Sequence, residues 1–235
     1  MTKLNKTEIT SIIQAIQNGI KEDYIDFKKS NSFSTYNCKN FLKWDLIYTN
    51  ISSKILKESF KTVKMNRKIW EFVTIIHEPT NTLYIVTRKK NFLKLQSERV
   101  KRNIPHYIDG FATINNTSSQ YEQLELFDVS KKFDEKQIND ILQLLGEYKD
   151  KIKQFCVIVF EEAKGDLIGI ENYLVDSKLN VVDSIDWSTF IKPHFDIEEE
   201  YEYTVNDEDI SEQVVDSNID IEIRKKDKNI EKNVQ

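Results

Sequence analysis

IWEFVTII (residues 69–76), HEPTNT (77–82) and LYIVT (83–87) form the stretch that decides the fold. The first and third segments are rich in β-branched and aromatic residues, which favour extended strands. Pro79 fixes its backbone φ angle and Asn81 tolerates turn conformations, so the middle segment reverses the chain. This pattern predicts a β-hairpin. After RKKN (88–91), the segment FLKLQSERVKR (92–102) predicts a helix that is capped by Asn91 and ends before Pro105.

Apolar residues at helical spacing predict two more helices. The first extends from Thr7 to about Lys21, with Asn5 and Glu8 as a capping pair. Its apolar positions are Ile9, Ile12, Ile13, Ile16 and Ile20. The second begins after the N-cap Asp134 and continues to about residue 153. Its apolar positions are Ile138, Ile141, Leu142, Leu145, Tyr148 and Ile152.

Three strands are predicted after the second of these helices. The continuous apolar run Phe155–Phe160 is typical of a buried central strand, and turns separate it from strands over 167–175 and 179–182. We therefore predict an α+β fold, in which small antiparallel sheets (the hairpin 69–88 and a meander 155–182) pack with amphipathic helices.

Weaker patterns complete the prediction. They indicate a polar loop over 24–40, a strand over 44–51, mixed helix and loop over 54–68 and an edge strand over 121–129. The domain prediction is a basic α+β lobe (1–130), a helix and meander lobe (131–192) that can form one domain with the first, and an acidic, disordered tail (193–235). The tail has twelve acidic residues and no Lys or Arg between 196 and 222, and few large apolar residues.

The charge is distributed very unevenly. Residues 54–102 contain thirteen Lys or Arg against four Asp or Glu, whereas residues 133–235 contain twelve basic and twenty-six acidic residues. Such asymmetry favours a polyanionic partner for the basic part of the chain. We predict nucleic-acid binding, through phosphate neutralisation without sequence specificity. The predicted binding residues are Lys64, Arg67, Lys68, Arg88, Lys89, Lys90, Lys94, Arg99, Lys101 and Arg102.

An enzyme is the first alternative. No Walker, Rossmann, zinc-spacing, HExxH or GxSxG motif is present, so the catalytic class stays open and no cofactor is predicted. Arg99 and His106 have a spacing that resembles the Arg-spacer-His signature of the HEPN ribonucleases, which implies a toxin-like ribonuclease. In that family the pair lies on a helix of a helical bundle, whereas Pro105 precedes His106 here. Asp45, Glu71 and Lys89 form the second candidate set, for a metal-dependent nuclease.

A protein-binding module is the second alternative. The acidic tail is suited to a basic protein partner, as in an antitoxin or inhibitor, or to competition with phosphates for the chain's own basic region. Cys38 and Cys156 have neither a disulfide framework nor metal-ligand spacing, and Cys156 is expected to be a buried hydrophobic residue. No signal-peptide pattern or membrane-length apolar run is present, which predicts a cytoplasmic protein without membrane contact.

Residues 40–190 are similar in style to uncharacterised proteins of phages and mobile elements in AT-rich bacteria. The likeness is carried by Trp70-Glu71-Phe72, Leu83-Tyr84, the segment Ile104–Asp109 and Asp186-Trp187-Ser188. It implies an accessory role in a mobile element, a phage-conflict system or a toxin–antitoxin system. It brings no known active site.

Overall fold

A computed structural model describes residues 3–35, 37–67, 70–117 and 133–192. Its helices and strands alternate in groups along the chain. The helices are α1 (Lys6–Ile20), α2 (Glu22–Ser30), α3 (Lys39–Lys54), α4 (Lys89–Ser97), α5 (Tyr107–Ala112) and α6 (Glu135–Leu142). The strands are β1 (Phe60–Arg67), β2 (Trp70–His77), β3 (Thr82–Arg88), β4 (Gln154–Ala163), β5 (Asp166–Val175) and β6 (Val181–Asp186). Helix and sheet together confirm the α+β class.

All six strands belong to one mixed sheet in the order β1-β2-β3-β4-β5-β6. The predicted hairpin is formed by β2 and β3, which are antiparallel, and the predicted meander is formed by β4, β5 and β6. Between these two parts, β3 pairs with β4 in parallel, from Thr82 beside Gln154 to Arg88 beside Phe160. The two small antiparallel sheets that we predicted are therefore halves of one sheet, and the predicted lobe boundary near residue 130 does not divide it.

Alternating side chains of the strands build two apolar cores, one on each face of the sheet. The first core contains Cys156, Ile158 and Phe160 of β4 and packs against α1 and α3. The second contains Phe155, Val157 and Val159 of the same strand and packs against α4 and α5. The sheet is thus covered by helices on both faces, which explains why the central strands are apolar throughout.

Helix α1 lies very close to α3. A Cβ atom added at Gly19 would come within 2.6 Å of the backbone nitrogen of Ile47, closer than side chains approach a backbone. The predicted apolar face of α1 is confirmed, because Ile12, Ile13 and Ile16 are fully buried. Asn5 and Glu8 also form the predicted capping box at its N-terminus.

The prediction of a strand over 44–51 is wrong, because this segment lies inside α3. Aromatic and β-branched residues suggested a strand, but Trp44, Ile47 and Ile51 are buried at a spacing of three and four residues. That spacing places them on one face of a helix. The amino-acid composition of this segment favoured a strand, although its buried positions follow a short helical period.

Other segments also differ from the prediction. Helix α4 begins at Lys89, before the predicted cap Asn91, and ends at Ser97. Residues 22–30 form α2 rather than a loop, and no residue of this helix is buried, which explains its polar sequence. Residues 60–67 form β1, an edge strand in a segment that we predicted to be mixed helix and loop. The predicted helix 134–153 ends early, because Gly146 has φ of 54° and interrupts the helical backbone after α6. The predicted strand over 121–129 and the tail lie outside the described residues.

Candidate functional site

The predicted basic residues do not form one face. Lys64 lies beside Val73 across the β1–β2 pair, and Val73 packs in the first core. Helix α4 packs through Phe92 in the second core, on the opposite side of the sheet. Lys64 is therefore separated by the sheet from the basic residues of α4. Arg67 ends β1, and Lys68 lies outside the described residues.

Arg99 and Arg102 are directed into the protein by a buried carboxylate. Asp109 is the third residue of α5 and its side chain is 0% exposed. Its Oδ1 atom lies 3.2 Å from Arg99 Nε, and its Oδ2 atom lies 2.9 Å from Arg102 Nη1. Arg99 also donates to the carbonyl oxygen of Ser177, and Arg102 to that of Leu95. These two arginines therefore tie the segment after α4 to the body of the protein.

Asp109 has a second role as a helix cap. Its Oδ2 atom accepts a hydrogen bond from the backbone N–H of His106 at 2.7 Å, while His106 Nδ1 accepts from the N–H of Ile108. Burial raises the pKa of Asp109, and the charges of Arg102 and Arg99 and the N–H of His106 oppose that rise. Arg99 and His106 thus meet the same carboxylate in structural roles. Neither side chain has the helical placement of the HEPN pair.

Arg88 and Lys89 are ion-paired at the carboxyl ends of β3 and β4. Arg88 lies 3.4 Å from Glu162 and its guanidinium stacks over the ring of Trp44. Lys89 lies 3.0 Å from Glu161 and 2.8 Å from Glu171. The two carboxylates beside Lys89 raise its pKa. Both predicted binding residues are therefore neutralised by carboxylates of the meander.

Lys43 of α3 joins the ion pair of Arg88. Its side chain is 3% exposed and contacts Glu162, and its ammonium group lies over the ring of Tyr24. Burial lowers the pKa of Lys43, and Glu162 partly restores it. A buried lysine depends on its carboxylate, because an isolated buried charge is strongly unfavourable. Glu162 therefore holds both α3 and the end of β3 in place.

Three predicted binding residues remain exposed around α4. Lys90 and Lys94 are one helical turn apart and share a face of α4, and Lys101 lies in the 3-10 turn Arg99–Lys101 that follows. Exposed apolar side chains lie on the same segment, namely Leu93, Val100 and Ile104. We call these six residues the α4 surface. Within the parts of the chain that the structure describes, no carboxylate lies within ion-pair distance of Lys94 or Lys101.

The candidate nuclease carboxylates come together only in part. Asp45 lies on α3 and Glu71 on β2, on the same side of the sheet. Partial burial raises the pKa of Asp45, and the nearby charge of Glu71 raises it further. Glu71 is also paired with Lys64 at 2.7 Å, whereas Lys89 contacts Glu161 and Glu171 instead. The described residues contain no group of three or more His, Cys, Asp or Glu side chains placed to share a metal ion.

A hydrogen-bonded chain beside the hairpin turn was not predicted. Glu8 Oε1 lies 3.2 Å from His77 Nε2, His77 Nδ1 lies 2.7 Å from Thr80 Oγ1, and Thr80 Oγ1 lies 2.9 Å from Thr82 Oγ1. We call these four residues the Glu8–Thr82 chain. The capping role of Glu8 and the turn position of His77 were visible in the sequence. Their contact was not, because it joins residues 69 positions apart.

Glu8 is the charged end of this chain. Burial opposes its ionisation, but hydrogen bonds from the N–H of Asn5, from Ser59 and from His77 outweigh burial and lower its pKa. Cys156 is fully buried in β4, as predicted, and burial raises its pKa to about 12.

These observations define an α+β protein with one mixed sheet between two helical layers, in which Arg88, Arg99 and Arg102 are paired with internal carboxylates. Among the described helices, none is both long enough and apolar enough to span a bilayer. The chain belongs to DUF5986, a family of unknown function, which it matches along residues 1–235. No curated protein and no solved structure matches the chain.

Proposed function

We propose that this protein binds nucleic acid through the α4 surface, as a cytoplasmic accessory protein of a bacterial mobile element or of a phage-conflict or toxin–antitoxin system. The observation that carries the proposal is the exposure of Lys94 and Lys101 beside arginines that are internally paired. Lysines on a solvent-exposed helix can neutralise phosphates and release counterions, which gives affinity for any nucleic-acid sequence. The proposal narrows the predicted binding set to Lys90, Lys94 and Lys101.

The surroundings of the aromatic residues argue for backbone contacts rather than base stacking. Tyr84 is fully buried. Trp70 is half-buried and lies against Phe41, and Tyr107 is stacked on Phe72. Exposed aromatic faces are what single-stranded bases use for stacking. On the α4 surface the exposed apolar residues are aliphatic, so we expect similar affinities for different sequences of the same length.

The test is the salt dependence of binding to labelled duplex DNA and RNA, measured by fluorescence anisotropy. We expect the double variant K94E/K101E to weaken binding and to reduce the slope of log K against log salt by about 2, roughly one per lysine. The matched control is K57E/K61E, which changes the net charge equally at two exposed lysines before and at the start of β1. Equal loss in both variants, or an unchanged slope in K94E/K101E, would contradict the assignment of the α4 surface.

A metal-dependent nuclease is a second candidate function, favoured by the electrostatic contact of Asp45 with Glu71. Two adjacent carboxylates are a partial ligand set for Mg²⁺. Incubation of labelled RNA and DNA with and without Mg²⁺ tests it, with D45N/E71Q as the inactive variant and D166N as the control. Cleavage that survives in D45N/E71Q would exclude this pair. The protein-binding alternative depends on the acidic tail, which lies outside the described residues.

A further inference from the structure

The Glu8–Thr82 chain has the order of groups found in activated hydroxyl nucleophiles. Such sites place a hydroxyl within hydrogen-bond reach of an imidazole, and a third group orients the imidazole. Here Thr80 supplies the hydroxyl, His77 the imidazole and Glu8 the carboxylate, at 2.7 Å and 3.2 Å. Both distances lie in the range of productive acid–base contacts.

The charge of Glu8 fixes the direction of the hydrogen bonds. An ionised carboxylate only accepts, so His77 Nε2 must carry the hydrogen that it shares with Glu8. In the neutral imidazole the other nitrogen, Nδ1, then has a free electron pair and accepts from Thr80. The Thr80 oxygen in turn can accept from the hydroxyl of Thr82 at 2.9 Å. With a neutral imidazole, each hydrogen bond of the Glu8–Thr82 chain therefore donates toward Glu8, which is the direction that removal of the Thr80 proton requires.

Thr80 is the most exposed residue of the Glu8–Thr82 chain, as a nucleophile requires. Glu8 and His77 are buried, whereas Thr80 is half-exposed in the 3-10 turn Glu78–Thr80. The two preceding residues of that turn, Glu78 and Pro79, are exposed. A base shielded from solvent thus meets a hydroxyl that a reagent in solution can approach. The hydroxyl lies at the end of the β2–β3 hairpin, on a turn that strands on both sides support.

We propose that Thr80 is the nucleophile of an acyl-transfer site that accepts activated carboxylic esters, with His77 as general base and Glu8 as the positioning residue. Thr80 Oγ1 forms a bond to the carbonyl carbon while its proton moves to His77 Nδ1. The carbon–oxygen bond of the ester then breaks, and the alcohol leaves with the proton from His77. Water, deprotonated by the same imidazole, hydrolyses the acyl-threonine and restores the hydroxyl, so atoms and protons balance with water as the only co-reactant.

The test uses the full chain with p-nitrophenyl acetate and measures release of nitrophenolate. We expect a rate at least about 100-fold above that of buffer. T80V should lower the rate to that of buffer, while T80S, which keeps the hydroxyl, should retain it. The control is T49V, which removes an exposed hydroxyl that bonds only the carbonyl oxygen of Asp45. A T80V rate equal to that of T49V would overturn the proposal.

A second measurement separates catalysis from a structural role of the hydrogen bonds. Brief exposure to the ester followed by acid quench and peptide mass analysis should find the acetyl group on the peptide that contains Thr80, and H77Q should abolish the label without changing the far-UV spectrum. A label spread over surface lysines and absent from this peptide would refute the nucleophile.

Discussion

Arg99 and Arg102 differ from Lys94 and Lys101 in where their charges lie, although the four residues are close neighbours in the sequence. The side chains of Arg99 and Arg102 are 11% and 19% exposed and converge on Asp109, whereas both lysines are exposed. Arginine presents several donors in a planar group that suits a buried carboxylate, while the compact ammonium of lysine is strongly hydrated. The same basic segment therefore supplies two different features. One is the internal ion-pair cluster of Arg99, Arg102 and Asp109, which we call the brace, and the other is the exposed α4 surface.

This difference limits what a charge count establishes. The basic excess of residues 54–102 is real, but Arg88, Lys89, Arg99 and Arg102 are each matched by carboxylates of the fold. Two of those carboxylates, Glu162 and Glu171, belong to the meander, far from the basic segment in sequence. Among the described basic residues of this segment, the exposed Lys94 and Lys101 are the ones that we assign to an external partner. The division between brace and surface predicts a graded series of effects on stability.

The largest effect is expected from D109N, which would leave two largely buried arginines without their carboxylate. Breaking a buried pair by removing one partner costs about 3–5 kcal/mol. Chemical denaturation measures the free energy of unfolding. The matched control is D166N, which breaks a more exposed pair with Lys21 and should cost at most about 1 kcal/mol. Similar losses in the two variants would erase the distinction between brace and surface.

The next effect compares the two partners of one ion pair. E162Q removes the carboxylate that Lys43 and Arg88 share, and we expect a loss of about 3 kcal/mol because Lys43 is buried. K43M should cost less, about 1 kcal/mol, because Glu162 keeps Arg88 as its partner. Unfolding in urea measures both variants. A greater loss in K43M than in E162Q would mean that Lys43 contributes by packing rather than by charge.

A smaller, pH-dependent effect is expected from E8Q. The folded protein lowers the pKa of Glu8 from its ordinary 4.5, so ionised Glu8 contributes stability above that pH. This contribution is lost as the pH falls through the lower folded pKa. E8Q should therefore be less stable than the wild type by about 1–2 kcal/mol near neutral pH. The gap should close in acid, and a gap that is constant with pH would indicate lost packing instead.

The smallest effect on stability is expected from K94E/K101E. Exposed residues without special contacts usually change the free energy of unfolding by less than about 0.5 kcal/mol. The same variant is expected to have the largest effect on nucleic-acid binding. Stability should therefore depend on the paired arginines of the basic segment, and nucleic-acid binding should depend on its exposed lysines. A strongly destabilised K94E/K101E would place these lysines in the brace and remove the basis of the proposed surface.

Local patterns in the sequence were sufficient for the elements with a strong period. The β2–β3 hairpin, the buried strand β4, the apolar face of α1 and its capping box all follow from neighbouring residues. Each depends on interactions within about ten positions, which composition and spacing describe well. The prediction was weakest for α3 and β1, where a short or partly exposed pattern leaves helix and strand hard to distinguish.

The site depends on contacts that no local pattern contains. Asp109 of α5 contacts Arg99, which follows α4. Glu8 contacts His77 across 69 positions of the sequence. Both carboxylates cap their own helices, and this capping position is the local feature of the sequence that marks them. The parallel pairing of β3 with β4 brings Arg88 to Glu162, and that pairing joins positions more than seventy residues apart.

The parallel pair at the centre of the sheet also shapes how the chain must fold. The β2–β3 hairpin and the β4–β6 meander close over short loops, whereas β3 and β4 meet only after the whole segment between them is drawn together. Closing so long a loop is entropically expensive before any contact is gained. We therefore expect the pairing of β3 with β4 to be the slowest step of folding, because these neighbouring strands are far apart in sequence, and the sheet is complete only when its middle is.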